Sequence, residues 1–270
     1  DPLIDWYVRQ HLSLDIDAMR RHRLKERVFS QFAVLPYLQQ LAAPLSRTLV
    51  IYPGERQEEF VKEFGDILRW SQADRALFTE LVVAAEPTLA EGKFFPGKYV
   101  VERGTSPEEM ADILLAKFHT EVLERYDAQV EAMVPLADAL TIASLLEREA
   151  YDFDDMRYIS GIIWNRLFIG MPLQLDATLQ YARGSLAAET KWWPAVRPED
   201  KFIESPFNTY AETGLPPAPI ANPSLESIIA ALNPRETECL FYFHDEDGNF
   251  YCTTDYEAHK ALLRDVYKLP

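Results

Sequence analysis

The sequence predicts an α+β protein in two unequal parts: a small strand-helix-strand unit over residues 47–104 and a larger mixed α+β domain over residues 105–270. Three observations carry this reading. The β-branched run Thr48 to Tyr52 ends at Pro53-Gly54 and leads into apolar residues at helical spacing, Phe60, Phe64, Ile67 and Leu68. Helical spacing dominates again from Pro107 to Gly170. Near the C-terminus, two aromatic runs flank the turn composition Asp245 to Asn249, which predicts a hairpin.

The elements follow in order. Residues 1–46 read as an N-terminal helical segment, with Leu24, Val28 and Phe32 beside the basic cluster Arg20, Arg21, Arg23, Lys25 and Arg27. That face suits either solvent or a membrane surface. After the strand and helix that begin the small unit comes a second helical piece, Ala73 to Ala85, then a Pro/Gly turn and a strand near Tyr99 to Glu102. Ser106 and Glu109 have capping-box spacing and Pro107 suits the first helical position, so a linking helix opens there and occupies about residues 105–135. Pro135 breaks the helical run; Ile159, Ile162, Ile163 and Leu167 mark another helix that Gly170 stops. From Met171 to Ser224 the chain reads as irregular and polar, and a loop this long in a compact domain points to function. A helix from Leu225, the hairpin and a closing helix from Tyr256 complete the chain.

Composition narrows the function. A chain of 270 residues with 48% hydrophobic content can bury a sizeable core. Its 43 acidic and 27 basic residues give a net charge of −16, which opposes nucleic acid as a partner. Five scattered histidines form no zinc-binding pattern, so neither a metal nor a cofactor is expected. Cys239 and Cys252 flank the hairpin turn and are either a disulfide or two reduced, half-buried thiols.

The acidic candidates for chemistry lie in the helical stretch Ala139 to Asp155. On a wheel of about 100 degrees per residue, Leu140, Ile142, Ala143, Leu145, Leu146 and Ala150 fill a broad apolar arc, and Glu147 and Glu149 border it from opposite sides. Periodicity does not choose between them, though it leaves Glu149 nearer the centre of the arc. A carboxyl against apolar neighbours loses hydration in its charged form, so it holds its proton to higher pH and can act as a general acid. The alternative is that both pair with Arg148, Arg157 or Arg166 at the edge of the core.

Four ordered stretches, Ala143 to Ala150, Trp164 to Tyr181, Ser205 to Ser224 and Asp245 to His259, resemble the YceG-like (MltG) family of endolytic murein transglycosylases. The likeness reaches back through Glu91 to Tyr99 and covers roughly residue 47 to the C-terminus. It implies a LysM-like fold for the small unit and a catalytic domain after it. It implies cleavage of the MurNAc-GlcNAc bond to leave 1,6-anhydroMurNAc ends, with peptidoglycan glycan strands as substrate and cell wall synthases (penicillin-binding proteins) as candidate partners. An N-terminal anchor in the bacterial inner membrane is implied too, with this chain as the soluble part outside the cytoplasm. It selects Glu147, the glutamate of the family's Ala-Ser-x-x-Glu pattern, as the catalytic acid. Asn165, Gln174, Asn208 and Tyr210 are then candidate sugar-binding residues with Asp176, and Glu149, Arg166 and Thr178 are supporting residues. Two rival readings are a non-catalytic peptidoglycan-binding or synthase-docking scaffold, and a hydrolytic muramidase that uses Asp176 as base.

Overall fold

A computed structural model describes residues 46–85, 91–186 and 189–268. The expected helical segment at residues 1–46 lies outside this range, apart from Ser46. Strand β1 (Ser46–Ile51) pairs antiparallel with β2 (Gly97–Glu102), Leu49 opposite Tyr99. Between them run α1 (Gln57–Leu68) and α2 (Gln72–Ala85). Leu49, Ile51, Phe60, Phe64, Phe78 and Phe94 are fully buried together, and the alternation along β1 and the four-residue repeat along α1 explain why. This core also takes in Met110 and Leu114 of α3 (Pro107–Glu121), so the linking helix closes the small unit. The capping box of α3 forms as its spacing predicts: Glu109 N–H donates to Ser106 Oγ and Ser106 N–H to the Glu109 carboxylate.

The second core is built on α5 (Leu136–Glu149), entered from the short helix α4 (Ala128–Met133) through Pro135. Every residue from Ala139 to Leu146 is buried, which a helix achieves only when other elements surround it. Helices α6 (Phe153–Phe168) and α8 (Leu225–Leu232) pack on it, and the proline-rich run before α8 lies along it, Ile220 N–H donating to Ser144 Oγ at 3.0 Å. Within α6, Gly161 meets the main chain of a following segment: a Cβ there would sit 2.2 Å from the Arg235 carbonyl oxygen. Gly170 ends the segment in the left-handed region, φ 67°, as the sequence predicts.

One stretch differs from its reading. Asp176–Gly184, expected to be irregular, is a helix, α7, and Ala177, Thr178, Leu179 and Ala182 are buried along it. Beyond a short 3-10 turn at Pro198–Phe202 and α8 come β3 (Phe241–His244) and β4 (Phe250–Thr253), the expected hairpin, and α9 (Tyr256–Tyr267). Cys239 and Cys252 are joined, which decides between the two readings of these thiols. Among the described residues no helix is long and apolar enough to cross a membrane.

The two cores meet at Asn222, which is fully buried. Its Oδ1 accepts from Gly92 and Phe94 N–H, its Nδ2 donates to the Glu55 carbonyl, and its own N–H and carbonyl bond Glu55 and Gly54. Every polar atom of the residue is thereby satisfied. Beside it the buried Arg56 guanidinium lies 4.2 Å over the Tyr181 ring and pairs with Glu58.

Candidate active site

Helix α5 leaves the core at its last turn, and its two glutamates diverge there. Glu147 Oε2 accepts from both the N–H and the hydroxyl of Ser224, at 3.0 and 2.7 Å, and Ser224 is the N-cap of α8. Glu149 points to the other side. Its Oε1 accepts from Ala177 N–H at 3.2 Å, in the first turn of α7, and its Oε2 accepts from the Tyr242 hydroxyl at 3.0 Å. Burial raises the Glu149 pKa most; the Asp176 charge pushes the same way, while the two hydrogen bonds and His244 oppose it. The end of an α-helix also carries partial negative charge, which disfavours a carboxylate in that turn.

The polar loops gather around Glu149. Gln174 N–H donates to the Thr209 carbonyl, Leu175 N–H to Thr209 Oγ1, and the buried Thr178 hydroxyl bonds both the Leu175 carbonyl and Thr209 Oγ1. This stitching brings the Tyr210 hydroxyl to Asp176 Oδ1 at 2.7 Å. Gln174 is exposed and left-handed, φ 51°, a conformation that costs a non-glycine residue about 1 kcal/mol. Glu149, Asp176 and Tyr210 thus form one polar surface, half-buried at Glu149 and open at Asp176.

Glu147, selected as the acid, is engaged with the start of α8, whereas Glu149, named as a supporting residue, faces α7 and Tyr242. Of the residues expected to meet sugar, Asn165 donates through Nδ2 to the Thr237 and Cys239 carbonyls, and Asn208, wholly buried, donates to the Lys201 and Ile203 carbonyls. Arg166 spends its guanidinium on the Leu240, Pro172 and Leu173 carbonyls. The Trp193 ring is covered by Arg148 at 3.9 Å, and its Nε1 donates to the Glu59 carboxylate.

Tyr242 escaped the reading altogether. The sequence signal was available: on a strand, residues 242 and 244 share a face, and that face carries the two polar tips of the run Phe241–His244. His244 Nε2 meets Asp155 Oδ2 at 2.8 Å, which also accepts from Tyr151 N–H.

The endolytic murein transglycosylase of Streptococcus pneumoniae serotype 2 (strain D39) is 29% identical over 221 residues, 76% of this chain and 40% of the relative. That of Bacillus subtilis (strain 168) is 36% identical over 171 residues, 63% of this chain and 46% of the relative. The matched part thus spans less than half the length of either curated relative. A crystal structure of a yceG-like protein from Listeria monocytogenes superposes with a TM-score of 0.67 at 26% identity, covering 80% of this chain and 75% of that one. The YceG-like family pattern runs through residues 22–265, across both cores and every residue of the polar surface, and the chain belongs to the YceG-like family.

Proposed function

We propose that this chain carries the catalytic part of an endolytic peptidoglycan transglycosylase, a lyase that cuts the MurNAc-GlcNAc bond of nascent glycan strands and leaves 1,6-anhydroMurNAc ends. The observation that carries it is Glu149, held between the Ala177 N–H and the Tyr242 hydroxyl beside the exposed Asp176, a carboxyl pushed toward its neutral form by burial and by the Asp176 charge. The names of the relatives support the same reaction class.

One carboxyl suffices for both proton transfers. Protonated Glu149 gives its proton to the glycosidic oxygen as the bond from that oxygen to muramoyl C1 breaks. The resulting carboxylate takes the proton of the muramoyl C6 hydroxyl as O6 bonds to C1. Bonds and protons balance without water. Asp176, held by Tyr210, supplies negative charge beside an oxocarbenium-like centre, and Gln174 offers an oriented neutral amide to a sugar hydroxyl or N-acetyl group. The β1-α1-α2-β2 unit acts as a LysM-like glycan holder that raises local substrate concentration. A membrane anchor outside this chain and synthases nearby would place the cut on newly made strands on the outer side of the inner membrane.

Incubation of the purified protein with glycan strands, followed by mass spectrometry, tests this reading. Anhydromuramoyl ends that disappear in Glu149→Gln support it. Reducing ends instead would favour a muramidase with Asp176 as base, the geometry ordinary glycosidases use. Binding without cleavage would leave a scaffold.

A further inference from the structure

The two donors on Glu149 differ in kind. Ala177 N–H, on Oε1, can only donate, whereas the Tyr242 hydroxyl, on Oε2, can turn to accept. An oxygen facing a fixed N–H is the poorer place for a proton. With Glu149 neutral, the proton therefore sits on Oε2 and the Tyr242 hydroxyl turns aside or accepts. With Glu149 ionised, that hydroxyl donates again and both oxygens are held.

The strand that brings Tyr242 is tied unusually well. Tyr242 lies opposite Cys252, which the disulfide links to Cys239, three residues before Tyr242. Its ring stacks on Phe250 at 5.9 Å. From α6, Arg166 Nε donates to the Leu240 carbonyl at 2.6 Å and Asn165 Nδ2 to the Thr237 and Cys239 carbonyls. These staples all bear on the segment that sets the height of one phenol above one carboxyl.

We propose that Tyr242 is a positioning residue for the reaction, selecting Oε2 of Glu149 as the oxygen that carries the working proton and stabilising the carboxylate left after the proton is given. The phenol keeps its own proton throughout, because burial and the Glu149 charge hold its ionisation well above the ordinary tyrosine range. The inference rests on Glu149 being the acid. The other charged or titratable groups around the pair are Arg148 on α5, Asp176 on α7, Tyr210 on its loop, His244 on β3, and Asp155 and Arg166 on α6 behind Tyr242. Tyr242→Phe leaves all of them in place and keeps the ring on Phe250.

The test is the pH profile of kcat/KM on glycan strands together with a carbon-13 carboxyl titration of Glu149 in the substrate-free chain. Removing a donor from the carboxylate should move the alkaline limb and the titration upward by about one pH unit and lower kcat by about tenfold. A second variant, Cys239→Ser with Cys252→Ser, frees the strand with the phenol intact and should move the titration the same way. No movement in either variant overturns the inference. A Glu149→Gln protein that still cleaves overturns the reading beneath it; an inactive Glu149→Gln with an unmoved Tyr242→Phe titration overturns the Tyr242 assignment alone.

Discussion

Ser224 gives both its N–H and its hydroxyl to Glu147, so the last turn of α5 is bonded to the first turn of α8. Glu147→Ala should cost stability, about 1–3 kcal/mol in urea unfolding, because two buried-edge donors lose a charged acceptor. On glycan strands it should keep most of its activity. Glu149→Gln should retain the fold and lose about a hundredfold to ten-thousandfold in kcat, read as anhydromuramoyl ends per unit time.

The Tyr210 hydroxyl reaches Asp176 and not Glu149. Tyr210→Phe should therefore lower kcat less than Glu149→Gln does, by about tenfold, through a misplaced Asp176. Asp176→Asn should lower the Glu149 carboxyl pKa, since it removes a negative neighbour. The alkaline limb of its rate profile should shift toward acid, opposite in sign to Tyr242→Phe.

Glu55, in the turn after β1, has its pKa raised from 4.5 to about 7 by burial, with Glu59 and Glu63 adding repulsion and the Tyr52 N–H opposing. The folded chain then binds this proton more tightly than the unfolded chain. Its contribution to stability is fully present below the unfolded value and is lost as pH rises from about 4.5 through about 7. Glu55→Gln should flatten that part of the stability profile in urea melts at successive pH values; an unchanged slope would remove Glu55 from the account.

Asn222 holds both units with one side chain. Asn222→Ala leaves the Gly92 and Phe94 N–H groups buried without partners, while the Glu55 carbonyl keeps the backbone N–H of residue 222, and should destabilise by about 2–4 kcal/mol, with new protease cleavage near Gly54 and Gly92. Reduction of the Cys239–Cys252 link, whose partners are 13 positions apart, should cost about 2–3 kcal/mol in melts with and without a thiol.

Local chemistry was legible in the sequence. The Ser106–Glu109 box, the stop at Gly170 and the turn of the hairpin are each decided by residues within a few positions of one another. Helix α7 was hidden because it is nine residues long and opens at Leu175, which offers no side-chain cap. The different surroundings of Glu147 and Glu149 were hidden for a different reason. A helical wheel gives directions about an axis, whereas the choice depends on what distant segments bring to each side: Ser224 to one, Ala177 and Tyr242 to the other. Asn165 and Asn208 show what a sequence leaves open: an amide suited to a sugar is equally suited to a backbone carbonyl, and here both bond carbonyls.

Gly161 lies against the chain that leads from α8 into the hairpin, with no room for even one methyl group between its helix and the Arg235 carbonyl. That chain ends at Cys239 and Tyr242. A mutation to alanine there would touch no part of the cleft, yet its push would travel along the strand to the carboxyl at the far end of the hydrogen-bond path. Temperature-sensitive alleles of such an enzyme should therefore be sought first along the seam between α6 and residues 233–240, where a change too small to alter the surface is large enough to put the chemistry out of reach on warming.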